Sequence, residues 1–303
     1  MAIKTLICGL SGTGKSTSAR NLKEVAVVNP VNKPLPFKNH YEMLNGVVDS
    51  DEIIKFMKST KAKVIIVDDF QYLLSIPYMN RIKESGWDKY NDFAANYFEI
   101  IRVCDELPED TTVYFMTHTE TLDDGTETVK LIGKLLREKI CIEGLFTTVL
   151  KTMVNDGKYY FITQNSGKDN VKSPMGMFDS YAIDNDLAYV DAKIRNYFEV
   201  GTDFKSDEEM VELDNEAKRE EVTKPEPKAR RRRSVKPQND ESGSNEAETT
   251  VNEPVKTTDE LKPLRERKAR EEADRPAPVD DKPDVNRVTG EPPKRRRRRS
   301  VEE

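Results

Sequence analysis

The sequence predicts an α/β domain: a mainly parallel sheet with helices between its strands, closed by a β-hairpin and followed by a charged tail. Three observations predict it. Short, continuous apolar runs at residues 3–8, 64–67 and 112–117 read as strands buried on both faces. Helix-compatible segments alternate with them, the order expected of a parallel sheet. The aromatic residues then stop. All eleven Tyr, the single Trp and ten of eleven Phe precede residue 201, and only Phe204 follows it.

The elements can be justified in order. Residues 3–8 (IKTLIC) form a strand that runs into a glycine-rich loop and then a helix-compatible stretch (TSARNLKE). A second strand at 25–28 precedes a Pro/Asn loop, NPVNKPLPFKNH. Val64-Ile65-Ile66-Val67 makes the next strand. Residues 87–107 are expected to be helical, because Tyr90, Phe93, Tyr97, Ile100, Ile101 and Cys104 recur at three- and four-residue spacing and mark one buried face. The strand at 112–117 ends on His118. A polar, Thr-rich loop and a helix-like stretch with Lys130, Lys134, Arg137 and Lys139 follow. Two β-rich runs, 145–154 and 158–164, flank Asn155-Asp156-Gly157, a turn sequence that predicts a terminal hairpin.

The loop after the first strand, Gly9-Leu10-Ser11-Gly12-Thr13-Gly14-Lys15-Ser16-Thr17, matches the phosphate-binding pattern G-x-x-x-x-G-K-[ST] at every fixed position. Its glycines let backbone N–H groups turn inward around a phosphate, and a helix behind it would add partial positive charge. Lys15 would reach the β- and γ-phosphates of a nucleoside triphosphate, and the Ser16 hydroxyl would hold Mg²⁺. A second metal ligand is expected at the end of another buried strand, where Asp68 follows residues 64–67. Asp69, next in line, would polarise the attacking water, or would be only a helix N-cap or a loop acid facing solvent. His118 would read the γ-phosphate from its strand tip, or is a surface group; His40 is assigned no role.

The three cysteines, Cys8, Cys104 and Cys141, fall in apolar segments without paired spacing, which argues against disulfides and a zinc site. No apolar stretch is long enough to span a bilayer, and the N-terminus reads as strand and loop, so a cytoplasmic protein is expected. The NKPL within the Pro/Asn loop departs from a guanine-reading N-K-x-D pattern at Leu35, leaving guanine selectivity without support.

The segments GLSGTGKST, VIIVDDFQYLL, VYFMTHTE, GKLLREKICIEGLFTTVLK and FITQNSGKDNVKSPMGMF together resemble the phage-encoded AAA/RecA-like nucleotide-binding proteins, over about residues 1 to 200. The resemblance implies a RecA-like P-loop core, Mg-ATP hydrolysis, self-assembly and single-stranded DNA as partner, beside a single-stranded-DNA-binding protein. The activity implied is that of an annealing or recombination ATPase in the host cytoplasm. A helicase-loader ATPase and a small-molecule or nucleotide kinase are the alternatives. RecA-like enzymes carry a catalytic Glu after their second strand, where this chain has Val28-Asn29-Pro30, so Asp69 or Glu42 would have to substitute. Lys168 and Lys172 stand where such rings carry a trans-acting basic finger.

Residues 201–303 hold ten of the sixteen prolines, 25 of the 49 Lys and Arg, and 27 of the 55 Asp and Glu. Such a segment buries too little apolar surface to offset its chain entropy and is expected to be disordered, with a short helix near 206–222. The run at 227–235, PKARRRRSV, returns at 293–301 as PKRRRRRSV. Clustered arginines on a flexible tether suit nucleic-acid phosphates, or a protein partner.

Overall fold

The computed structural model describes residues 1–202 and 204–225. Nine strands form one mixed sheet: β1 (Ile3–Gly9), β2 (Val25–Asn29), β3 (Glu42–Asn45), β4 (Val64–Val67), β5 (Thr112–Thr121), β6 (Glu127–Val129), β7 (Thr148–Asn155), β8 (Lys158–Ile162) and β9 (Ala182–Asp184). Their order is β3-β2-β4-β5-β1-β7-β8-β9, with β6 paired to the end of β5. The six strands from β3 to β7 run parallel; β8 and β9 close the edge antiparallel. The α/β class and the mainly parallel sheet are therefore as the sequence predicts.

Side-chain alternation divides the central strands between two cores. Leu6 and Cys8 of β1 join one, with α1 (Ser50–Ser59) and α3 (Asp88–Arg102); Ile7 joins the other, with α5 (Leu187–Phe198). In the first core Phe70 stacks on Tyr97 at 3.9 Å between ring centres and meets Phe115 edge-on at 4.9 Å. Truncating a ring as enclosed as Phe115 to Ala costs about 3–5 kcal/mol. The periodic residues of α3 bury as expected, with Phe93, Tyr97, Ile100 and Ile101 all enclosed. Helix α2 (Tyr72–Asn80) precedes it, and α4 (Lys134–Lys139) occupies the basic stretch.

The structure differs from the sequence expectations at four places. The helix expected behind the glycine-rich loop is only a 3-10 turn, Ser16–Asn21. Ser16, Thr17 and Ser18 are weak helix formers, and the Ser18 hydroxyl bonds the Lys15 carbonyl in place of a helical partner. Strand β5 runs past His118 to Thr121 and turns through Gly125 into β6, a hairpin hidden in what reads as a polar loop. The predicted β7–β8 hairpin forms around Asp156 and Gly157, both at positive φ, but it is not terminal, because β9 and two helices follow. Cys141 is exposed, whereas Cys8 and Cys104 are buried.

The packed body also extends past residue 200. Helix α6 (Asp207–Ala217) begins with a Ser206–Glu209 capping box and buries Met210 and Ala217. Asp214 accepts a hydrogen bond from Tyr189 at 2.7 Å and pairs with Lys193. Lys218 then bridges to Ile183 of β9, and Val222 is buried. Both arginine blocks lie outside the described residues.

Candidate functional site

Residues 9–17 emerge from the carboxyl end of β1, between β5 and β7. The chain leaves β1 toward the β2 side of the sheet, and β7 is laid down on the other side. Such a reversal opens a crevice beyond the strand ends. Parallel register sets Gly9 opposite His118, so the loop and that histidine rise from the same level of the sheet. A Cβ on Gly9 would lie 2.2 Å from the Thr152 hydroxyl, so glycine lets β7 approach. Thr13 Oγ1 donates to the Leu10 carbonyl at 2.7 Å and meets Thr152 Oγ1 at 2.6 Å, which ties the loop to β7. Leu10, Ser11 and Gly12 form its exposed crest.

Lys15 is buried, and its ammonium folds back to donate to the Gly9 and Leu10 carbonyls at 2.9 and 2.7 Å. Burial pushes its pKa down to about 8, against the opposing pull of Asp69 and Asp68. Ser16 Oγ lies 3.0 and 2.9 Å from the two oxygens of Asp68 and donates to that carboxylate. Asp68 also accepts from the Asp69 backbone N–H at 3.0 Å. Burial, and next the Asp69 charge, raise the Asp68 carboxyl above the usual range. A hydroxyl oxygen and an under-compensated carboxylate side by side are the hard-oxygen donors a divalent cation takes.

Asp69 is buried in the left-handed region at φ 49°, a conformation Asp tolerates better than most residues. Its backbone carbonyl accepts from Tyr72, whereas its carboxylate caps nothing. It pairs with Lys33 and lies 3.4 Å from His118 Nε2. Burial opposes its ionisation, yet the bonds from His118 and Lys33 hold its pKa below the usual range. His118 is fixed at its backbone N–H, which donates to Gln71 Oε1 at 3.1 Å.

Lys33 is the residue sequence reasoning passed over. It stands in the NKPL segment, examined only for guanine reading. Asn29 Nδ2 donates to the Lys33 carbonyl at 2.8 Å and to Asn45 Oδ1 at 2.8 Å, and this staples the loop so that Lys33 reaches Asp69. Two further residues fall elsewhere. Glu42 lies on the edge strand β3, where it accepts from the Thr60 hydroxyl; β2, β4 and β5 separate it from β1, so it does not replace a catalytic Glu here. Lys168 and Lys172 are exposed, and neither makes a hydrogen bond or ion pair with residues 9–17, Asp68, Asp69 or His118. Lys172 instead bridges β7 through its backbone at Val149.

Among the described residues, no group of three or more His, Cys, Asp or Glu side chains is placed to hold a metal by itself. No helix among them is long and apolar enough to cross a membrane. A scan against protein-family models finds no match to this chain, and a search of curated proteins likewise finds none.

Proposed function

We propose that the chain is a Mg²⁺-dependent ATPase with a RecA-like P-loop core that acts on single-stranded DNA in phage recombination or replication. The observation that carries the nucleotide reading is the meeting of Ser16 with Asp68. The sequence points to each separately as a metal ligand; they stand 52 residues apart and lie within 3.0 Å. Burial and the Asp69 charge keep the Asp68 carboxyl raised against the pull of Ser16 and Lys33, which suits a site that a divalent cation would complete. A bound Mg²⁺, held by Ser16, Asp68 and phosphate oxygens, would supply charge neutralisation at the β- and γ-phosphates.

The chain's own residues then have distinct tasks. Lys15 exchanges the Gly9 and Leu10 carbonyls for phosphate oxygens, and regains through them the counter-charge that burial denies it. Asp69, with its lowered pKa, is a weak base at neutral pH, so it orients the attacking water instead of drawing off its proton early. Lys33 keeps that carboxylate charged and aimed, and His118 links it to β5. The 3-10 turn behind the loop is too short to contribute much dipole, so the burden falls on Lys15 and the loop amides.

Support for the DNA partner is the resemblance together with the two arginine blocks at 227–235 and 293–301. Self-assembly and cooperation with a single-stranded-DNA-binding protein, in the cytoplasm of a bacterial host, belong to the same reading. The experiment that tests it is the ATPase rate with and without single-stranded DNA. DNA-stimulated turnover is expected, and turnover indifferent to DNA would favour the kinase alternative.

A further inference from the structure

Beside the phosphate loop lies a cavity of about 690 Å³, which the ATPase reading has not used. It is lined by Thr17 and Arg20, by Tyr159 and Asn185, and by Arg219 and Glu221 of the segment after α6. The size falls within the roughly 300–1,000 Å³ of small-molecule sites. Its position follows from the loop's polarity. Lys15 and Ser16 face Gly9 and Asp68, the end where terminal phosphates belong, and Thr17 opens onto the cavity one residue later.

The chemistry of the walls selects an uncharged occupant. Lys158 lies 3.8 Å from Glu221 and Arg219 lies 3.4 Å from Asp184, so these two cations have counter-ions, and Arg20 is taken up by backbone carbonyls. Arg20 donates to the Asn185 carbonyl at 2.6 Å and to Thr17 at 3.4 Å. Two groups remain. The Tyr159 ring is 44% exposed at the start of β8. Asn185 is 2% exposed, and its side-chain Nδ2 is buried without any hydrogen-bond acceptor. A buried donor without a partner destabilises a fold unless something completes it. Both groups touch the loop: a Cβ on Gly14, at φ +93°, would lie 2.8 Å from Tyr159 and 3.0 Å from Asn185.

We propose that this cavity is the nucleoside pocket of the ATP site, where Tyr159 stacks on the base and Asn185 Nδ2 donates to a base or ribose acceptor. The assignment rests on the reading of residues 9–17 as the phosphate loop. It also gives the segment around Arg219, beyond the expected domain boundary, a part in nucleotide binding.

The test compares Mg-ATP with Mg-tripolyphosphate, which keeps the phosphates and lacks the nucleoside, by calorimetry on the full chain. The parent binds ATP more tightly than tripolyphosphate. Tyr159→Ala weakens ATP binding about tenfold, within the range for loss of one base–aromatic stack, and leaves tripolyphosphate unchanged. Tyr159→Phe retains the affinity. Asn185→Ala, whose backbone carbonyl still holds Arg20, weakens ATP alone by a smaller factor. An equal loss for both ligands would make Tyr159 structural and overturn the pocket, as would unchanged ATP affinity in Tyr159→Ala. In either case tripolyphosphate binding that Lys15→Ala abolishes would leave the phosphate loop standing. Failure of the parent to bind either ligand would remove both readings.

Discussion

Two buried carboxylates, Asp68 and Glu143, show how the same chemical group serves opposite ends in one fold. Glu143 Oε1 accepts from the Thr128 hydroxyl at 2.8 Å, the Val129 backbone N–H at 3.0 Å and Asn170 Nδ2 at 2.8 Å. Those donors come from β6 and the 163–171 loop, and together they lower the Glu143 pKa although burial raises it. Asp68 has a rotatable hydroxyl, one backbone N–H and the pull of Lys33, and against burial and a second carboxylate beside it these leave its pKa raised. The protein completes the charge of Glu143 and leaves that of Asp68 unfinished. The first arrangement locks three segments together; the second is the one the proposed reading gives to a cation.

The sharpest way to break the contrast is to neutralise each acid in turn. Asp68→Asn should lower Mg-dependent ATP turnover by at least about a hundredfold while the metal-free protein melts no lower than the parent, because an under-compensated buried charge is gone. Lys15→Ala should show a comparable loss and weaker nucleotide binding. Glu143→Gln should do the reverse, keeping turnover but melting about 2–6 °C lower, the equivalent of roughly 1–2 kcal/mol in a domain this size. Matching profiles in the Asp68 and Glu143 variants, in both assays, would erase the distinction.

Around Asp68 the expected effects shrink outward from its contact with Ser16. Asp69→Asn should slow turnover by roughly a hundredfold with ATP still bound, the usual scale for loss of a group acting on the attacking nucleophile. Lys33→Ala should slow it less, by about tenfold, since Asp69 retains His118, and Lys33→Arg should restore much of the rate. His118→Ala should leave ATP affinity near that of the parent and blunt any stimulation by single-stranded DNA. A Lys33→Ala enzyme with an unaltered rate would reduce that ion pair to a surface contact.

Glu143 also predicts a pH signature. Its folded-state pKa lies below the ordinary 4.5, so the folded chain binds this proton less readily than the unfolded chain. The stability it contributes is present above about 4.5 and is lost as pH falls through the lowered value. Melting curves of the parent and Glu143→Gln should therefore converge on acidification from about pH 6 to pH 3. A constant gap would mean that the charge of Glu143 contributes nothing.

The smallest effects concern the chain beyond residue 200. Truncation after residue 225 should leave the melting temperature unchanged and, if the arginine blocks meet phosphate backbones, lower DNA affinity with a shallower salt slope. Truncation after 204 should destabilise the body as well, because it removes buried Met210, Ala217 and Val222 and the Asp214 contacts to Tyr189 and Lys193. Equal stability of the two truncations would put the boundary back near residue 200.

The sequence by itself determined the parts that repeat locally: the strands at β1, β4 and β5, the α3 face, the Asp156-Gly157 hairpin turn and the spacing of residues 9–17. Each depends on a short continuous apolar run, on period-3.6 patterning, or on glycines at fixed offsets, which neighbouring residues suffice to specify. Tertiary structure decided the rest. Sheet order set β5 beside β1 and so brought His118 level with Gly9, and it left Glu42 on the far edge. Only folding aimed Lys33 at Asp69 and Asn185 at Gly14, across 36 residues in the first pair. It also joined α6 to the body. Pairings of that reach depend on which strands become neighbours, and strand order is a property of the whole packed sheet that no local pattern encodes.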